Sequence, residues 1–148
     1  MNIYEASPCL RVEGGAKAID FCRRALGAVE QFRFTEPSGH IHHAQLTLRP
    51  ITQMLSTTYP EFDLPAPTWE VLGASIHSQV DDCDALAAHA VDCGATLEAP
   101  PGDPFYGERS CKVRDPFGHH WLLGHEIEKV EVAEMQRRCT ELMASGRW

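Results

Sequence analysis

The sequence predicts an α+β fold made of two copies of a strand-helix-strand-strand-strand module, followed by one extra helix. Three observations carry that expectation. First, the chain resembles itself: Val12-Glu13, Ala18-Ile19-Asp20 and Leu26-Gly27-Ala28-Val29 are answered by Val80-Asp81, Ala85-Leu86-Ala87 and Cys93-Gly94-Ala95-Thr96, with Gly27 and Gly94 separated by 67 positions and Val12 and Val80 by 68. Second, Phe105 to Leu123 reads as a β-hairpin, because Arg109 to Arg114 alternates polar and apolar, Asp115-Pro116-Phe117-Gly118 supplies a turn, and His119 to His125 resumes an extended run. Third, beyond Glu126 the apolar period changes from two to that of a helix.

The first module opens on Ser7 to Val12, an extended run with Pro8, Leu10 and Val12 on one face and Ser7, Cys9 and Arg11 on the other. Gly14-Gly15 breaks it. Ala18, Ile19, Cys22 and Leu26 then recur at helical spacing before Gly27, a residue type suited to the left-handed position just past a helix end. Ala28 to Phe34 alternates as a strand, Pro37-Ser38-Gly39 turns the chain, and Ile41 to Leu48 follows with Ala44, Leu46 and Leu48 on its apolar face and His43, Gln45 and Thr47 opposite. Arg49-Pro50 leads into a last strand, Thr52 to Thr57.

Tyr59 to Thr68 contains Pro60, Pro65 and Pro67 and reads as the connection between modules, one that could reach over a pocket. The second module repeats the order. Ser75 to Val80 is a strand, Cys83 to Cys93 a helix with Asp82 as N-cap and Gly94 as stop, and Thr96 to Ala99 a strand ahead of the hairpin. Leu86, Ala90 and Cys93 mark the helix's buried stripe. In the C-terminal helix Val132, Met135, Cys139, Leu142 and Met143 share a stripe, with Glu134 to Arg138 and Arg137 to Glu141 as supporting i,i+4 pairs. The expected organisation is a single domain over 1–130, with module one at 1–58, a linker at 59–73 and module two at 74–126, followed by a helix at 131–148.

At 148 residues and 43% hydrophobic content the chain can bury a core that serves both modules together. A net charge of −8, with no run of Lys or Arg to track a phosphate backbone, argues against nucleic acid as a partner. The N-terminus lacks the basic flank and apolar stretch of a leader, and no segment approaches the roughly 18 apolar residues of a membrane helix, so a soluble cytoplasmic protein is expected. The six cysteines form no Cys-x-x-Cys pair and read as small buried hydrophobes with reduced thiols.

The doubled module, the helix ends Leu26-Gly27-Ala28 and Cys93-Gly94-Ala95, and Tyr106-Gly107-Glu108-Arg109 followed by Asp115-Pro116-Phe117-Gly118-His119 together resemble the vicinal oxygen chelate superfamily, and within it the PhnB-like branch near the glyoxalase and bleomycin-resistance proteins. The resemblance spans Ser7 to His125. It implies two curved mixed sheets around a cleft, commonly in a homodimer, and in the superfamily's enzymes four side chains in that cleft hold one divalent metal. Carried over residue by residue, those positions are Ser7, Leu55 or Ser56, Ser75 and Leu122. Hydroxyls and leucine bring too little charge to offset the dehydration of a divalent ion, so no metal and no other cofactor is expected at this site.

The cleft implied by that resemblance selects the candidate ligand contacts. His77 lies two residues after Ser75 and His120 two before Leu122, so both share the cleft-facing phase, and His43 opposes the apolar Ala44 phase. These three imidazoles are the candidate acid-base groups. Cys9, Gln45 and Ser75 are further candidate contacts, with Tyr106 offering an aromatic face and hydroxyl, and Arg109 a guanidinium for an anionic group, the alternative for Arg109 being a pair with Glu108 or Asp115. His40, His42, His89 and His119 read as surface or hairpin-loop residues, Asp115 to Gly118 as turn chemistry, and Trp121 as core. Two functions follow as expectations: a homodimeric small-molecule-binding protein, or an enzyme of lyase, isomerase or dioxygenase type that is metal-free or uses relocated histidines.

Overall fold

The computed structural model describes residues 7–58 and 74–145, the side chain of Met143 excepted. The linker expected at 59–73 and the end of the chain lie outside the described residues. Alternation and helical periodicity produce β1 (Cys9–Val12), α1 (Gly15–Leu26), β2 (Val29–Thr35), β3 (Ile41–Leu48) and β4 (Ile51–Thr57), then β5 (Ile76–Gln79), α2 (Cys83–Asp92), β6 (Thr96–Gly102), β7 (Glu108–Arg114) and β8 (His120–Glu126), and finally α3 (Val132–Ala144). The duplication is thus visible in the element order.

Each module folds into a four-stranded sheet, β1-β4-β3-β2 in the first and β5-β8-β7-β6 in the second. In each, the first strand pairs in parallel with the fourth and the remaining pairs are antiparallel. The helix of each module covers one face, which we call the helix face. Under it lie Val12, Ala44, Leu46 and Leu55 in the first module, and Cys111, Val113, Trp121 and Leu123 in the second, all buried in one continuous core. The larger of these, Val12, Leu46, Leu55, Val113 and Leu123, each contribute about 1.5–3 kcal/mol through removal from water. The opposite face of each sheet, the open face, carries no helix among the described residues.

The ends of the helices are set by local chemistry. Asp82 caps α2 by accepting a hydrogen bond from the Ala85 N–H at 3.0 Å, and Gly27 closes α1 in the left-handed region at φ 65°. Gly15 lets α1 approach the sheet: a Cβ there would stand 2.9 Å from Thr57 Oγ1. β6 runs three residues past the expected Ala99, through Pro100 and Pro101 to Gly102. An edge strand tolerates proline because its outward N–H groups have no ladder partner to lose.

The modules meet through α1 and α2. Phe21 of α1 meets Phe117 of the β7–β8 turn edge to face at 6.1 Å between centroids, and His89 Nε2 of α2 lies 2.8 Å from the Arg24 carbonyl. No strand of one sheet pairs with a strand of the other among the described residues. α3 is tied down by Arg138, which donates to both oxygens of Glu128 at 2.8 Å and to the Phe105 carbonyl at 3.3 Å. Both expected i,i+4 pairs of α3, Glu134 with Arg138 and Arg137 with Glu141, are present.

Cys22, Cys83 and Cys111 are buried, Cys93 and Cys139 half-buried and Cys9 exposed, and all are free thiols. Burial raises the Cys22 thiol to about 12, with the Asp115 charge adding to it, and Cys83 to about 11. These thiols are therefore poor nucleophiles, in keeping with packing roles. No helix among the described residues is long and apolar enough to cross a membrane.

Candidate functional site

Register decides which side chains share an open face. In the first sheet Cys9 pairs with Met54, Arg11 with Ser56, Met54 with Gln45, Gln45 with Phe32 and His43 with Phe34, and all of these lie in the phase opposite the buried Val12, Leu55, Leu46 and Ala44. Phe32, Phe34 and His43 form one aromatic cluster, with centroids 5.3 Å apart for the two phenyl rings and 5.9 and 6.2 Å from each to the imidazole. Phe34 is 59% and Phe32 41% exposed. Apolar rings left this open are the kind of surface that receives a ligand or another chain. Arg11 donates to the Ser56 hydroxyl and is the cation of this face.

The second open face has a different character. Glu98 reaches Lys112 Nζ at 3.3 Å, Arg114 Nε at 3.4 Å and His120 Nδ1 at 3.1 Å. Glu108 lies 3.5 Å from His77 Nε2 through one carboxylate oxygen and accepts from the Gln79 amide through the other. Tyr106 OH and Ser110 Oγ are 3.1 Å apart, which seats the phenol at the rim. Gly124 leaves the space that the Glu108 carboxylate fills, since a Cβ there would stand 2.9 Å from Glu108 Oε2. Carboxylates and bases thus neutralise one another across this face.

Both faces are shaped by the same irregularity. The pairing of β2 with β3 shifts by one residue at Gln31, and that of β6 with β7 shifts at Glu98, 67 positions later. Glu98 shares the open-face phase of Thr96, and the bulge brings the next residue, Ala99, onto the same face opposite Lys112.

Of the candidate residues, Cys9, His43 and Gln45 stand together on the first open face, while His77, His120 and Tyr106 stand on the second. Ser75 immediately precedes β5 and is exposed, in phase with His77. Arg109 is placed elsewhere. Its register opposite His125, in phase with the buried Cys111 and Val113, sends it to the helix face, where it donates to both oxygens of Asp84 in α2 at 2.6 and 2.8 Å and to Asp103 at 2.7 Å. Its guanidinium holds the Asp84 carboxyl below its ordinary range. The expected partners Glu108 and Asp115 face other ways, because alternation puts Glu108 on the open face and the turn gathers donors around Asp115.

His119 is also placed differently from the loop imidazole expected of it. It is 7% exposed, with Nδ1 3.1 Å from Asp115 Oδ2. That carboxylate also accepts from the N–H groups of Phe117 and His119 at 2.9 Å and from Trp121 Nε1 at 3.1 Å. Asp115 is therefore a turn residue, as expected, and an anchor for the buried Trp121 as well. Gly107 serves packing: its carbonyl accepts from Ile127 and Glu128, and a Cβ would lie 2.3 Å from the Glu128 carbonyl oxygen.

A profile of the glyoxalase/bleomycin resistance protein/dioxygenase superfamily matches residues 6–123. The chain belongs to that superfamily. An uncharacterized protein of Mycobacterium bovis is 39% identical over 141 residues, covering 92% of this chain and 93% of its own. Among solved structures, a glyoxalase/bleomycin resistance protein/dioxygenase from Nocardioides aligns with a TM-score of 0.69 at 14% identity over 89% of each chain. A gene product of Arabidopsis thaliana aligns at 0.63 and 27% identity over 82% of this chain and 98% of its own.

As a member of the glyoxalase/bleomycin resistance/dioxygenase superfamily, the chain can be tested for the divalent ion that its enzymes hold. Leu55 is buried on the helix face, Ser56 is engaged by Arg11, Ser75 is an exposed hydroxyl, and Leu122 stands beside His77 in register. This donor set does not fit a divalent ion, since it contributes no imidazole, thiolate or carboxylate. Nor do His43, His77 and His120 converge, as His43 packs on phenyl rings and the other two are taken by different carboxylates. Among the described residues no group of three or more His, Cys, Asp or Glu side chains is gathered to hold a metal. Glu98, Glu108 and Gly124 are site-forming residues that sequence reasoning passed over. The signal available for Glu98 was its place one repeat after Gln31.

Proposed function

We propose that the protein is a PhnB-like member of the superfamily that binds a small molecule with an aromatic or apolar body between an aromatic face and a charged one, without the superfamily's divalent metal. The observation that carries this reading is the exposed cluster of Phe32, Phe34 and His43, which supplies ring-stacking area with no partner of its own among the described residues. The polar groups that would fix the ligand's orientation are Arg11, Gln45, His77, Glu108, His120 and Tyr106. Cys9 and Ser75 border them. The two modules meet through helices, leaving both open faces uncovered by the described residues, and this supports a homodimer in which the first face of one chain closes on the second face of its partner. The acidic charge and free thiols support a cytoplasmic protein that takes neither nucleic acid nor membrane as partner.

Native mass spectrometry of the protein as isolated, together with metal analysis and thermal melts in zinc, nickel and manganese, tests the reading. The expected result is a retained organic molecule or an empty dimer, and no stoichiometric metal. Stoichiometric metal with a raised melting temperature would overturn it. A second reading, metal-free acid-base catalysis, rests on His77 Nε2 standing 3.5 Å from the Glu108 carboxylate on an open face. A bound metabolite returned chemically altered after incubation would favour it.

A further inference from the structure

On the helical side of the sheets, between the modules, lies a crevice of about 350 Å³ that the open faces do not include. Leu26 at the end of α1, with Leu48 and Ile51 on either side of the β3–β4 turn, forms one wall, and Val80, Leu86 and Trp121 of the second module form the other. The indole is fixed, because its Nε1 is spent on Asp115 at 3.1 Å. Its ring is therefore a rigid apolar plate at the crevice. The outer edge of β5 closes a third side. Val80 donates its N–H to the Gly124 carbonyl, so alternation turns the main-chain groups of His77 and Gln79 away from β8, toward the crevice.

One charged side chain at this crevice has no hydrogen bond or ion pair among the described residues: Arg49, in the β3–β4 turn. A guanidinium beside an apolar cavity in the lower size range of ligand pockets matches one chemistry. We propose that the crevice is a second binding site, for a small organic anion whose flat apolar body lies between Ile51 and Trp121 and whose carboxylate or sulfonate rests on Arg49. The volume suits a molecule of one or two rings and is too small for a helix of another chain, which with its side chains is about 10–12 Å across. The site does not depend on the proposed function, since its walls belong to the helix faces.

Two dyes of nearly the same shape test this, anionic 8-anilino-1-naphthalenesulfonate and neutral N-phenyl-1-naphthylamine. Both are titrated into the full chain carrying Trp69→Phe and Trp148→Phe, so that Trp121 is the reporting indole. Both are expected to bind with enhanced emission and to quench Trp121. Arg49→Gln, on an exposed turn, is expected to weaken the sulfonate about tenfold and leave the neutral dye unchanged. Ile51→Phe, which narrows the crevice, is expected to weaken both at least about tenfold, while Val132→Ser on the exposed side of α3 alters neither. Failure of either dye to bind overturns the proposal. So does binding that survives Ile51→Phe or is lost in Val132→Ser, and an equal effect of Arg49→Gln on both dyes removes the anion from it.

Discussion

The two modules repeat strand for strand, yet their open faces differ position by position. Where the first sheet carries Phe32, His43, Gln45 and Met54, the second carries Ala99, Ser110, Lys112 and Leu122 at the matching places in the register. Rings, an amide and a thioether in the first sheet thus correspond to small, aliphatic or basic residues in the second. On the helix faces the same comparison mostly finds apolar residue against apolar residue, as with Ala44 and Cys111, Leu46 and Val113, or Leu55 and Leu123. Burial under a helix restricts what a duplicated position can become, whereas a face that no described helix covers is free to diverge. One helix-face pair departs from this. Gln53 is 0% exposed with Oε1 lacking a hydrogen bond, and its counterpart Trp121 is equally buried but satisfied by Asp115.

That last pair offers the largest test of the comparison. Trp121→Ala is expected to cost about 3–5 kcal/mol in urea unfolding, because it opens a cavity and strips a donor from Asp115. Gln53→Leu is expected to be neutral or to stabilise by up to about 1–2 kcal/mol, because it removes a buried acceptor left without a partner. A Gln53 variant that loses as much as the Trp121 variant would show that the buried amide has a role the described contacts do not reveal.

Next in size come tests of the open faces. Phe34→Ser is expected to leave the unfolding midpoint within about 0.5 kcal/mol of the parent, since the ring is mostly exposed, while weakening the isolated ligand's binding about tenfold by calorimetry. Unchanged affinity would separate the aromatic cluster from binding. Gly124→Ala is expected to push the Glu108 carboxylate off His77 and change ligand affinity several-fold, at a stability cost of about 1 kcal/mol, because the obstructing atom ends a flexible side chain. Equal affinity with a large loss of stability would assign Gly124 to packing alone.

The smallest effect concerns α3, which belongs to neither repeat. Hydrogen bonds from Arg137 and Arg138 lower the Glu134 carboxyl from 4.5 to about 2. A carboxyl lowered by folding stabilises the fold while it is ionised. Its contribution is therefore complete above 4.5 and drains away as pH falls toward about 2. Far-ultraviolet ellipticity across that window should show α3 loosening, and Glu134→Gln should abolish the pH dependence. A flat profile in the parent protein would mean that these exposed pairs contribute little.

Much of this was legible in the residues. The repeat offset, the helix stops at Gly27 and Gly94 and the turn at Asp115 to Gly118 are local signals, and each appears where the pattern put it. His43 was assigned its phase by alternation against Ala44, and His77 and His120 theirs by alternation from the positions the resemblance places in the cleft, and alternation holds through those strands. The misreadings share one cause. Arg109 took Asp84 and Asp103 as partners, and His119 became buried, because α2 and the β7–β8 turn fold back onto them from residues distant or differently oriented in the chain. Glu98 was overlooked because its partners Lys112, Arg114 and His120 come from β7 and β8, and only strand pairing brings them to it.

By itself the sequence determined the doubled architecture and the faces that each regular strand presents. These depend on residue type and on the spacing of near neighbours, which backbone geometry converts directly into direction. Only the tertiary structure decided which acids meet which bases, that Arg109 serves the helix face, and that Arg49, without a partner among the described residues, borders a crevice between the modules. Such pairings depend on where separate elements come to rest against one another, and packing across the whole core, more than any local preference, sets that arrangement.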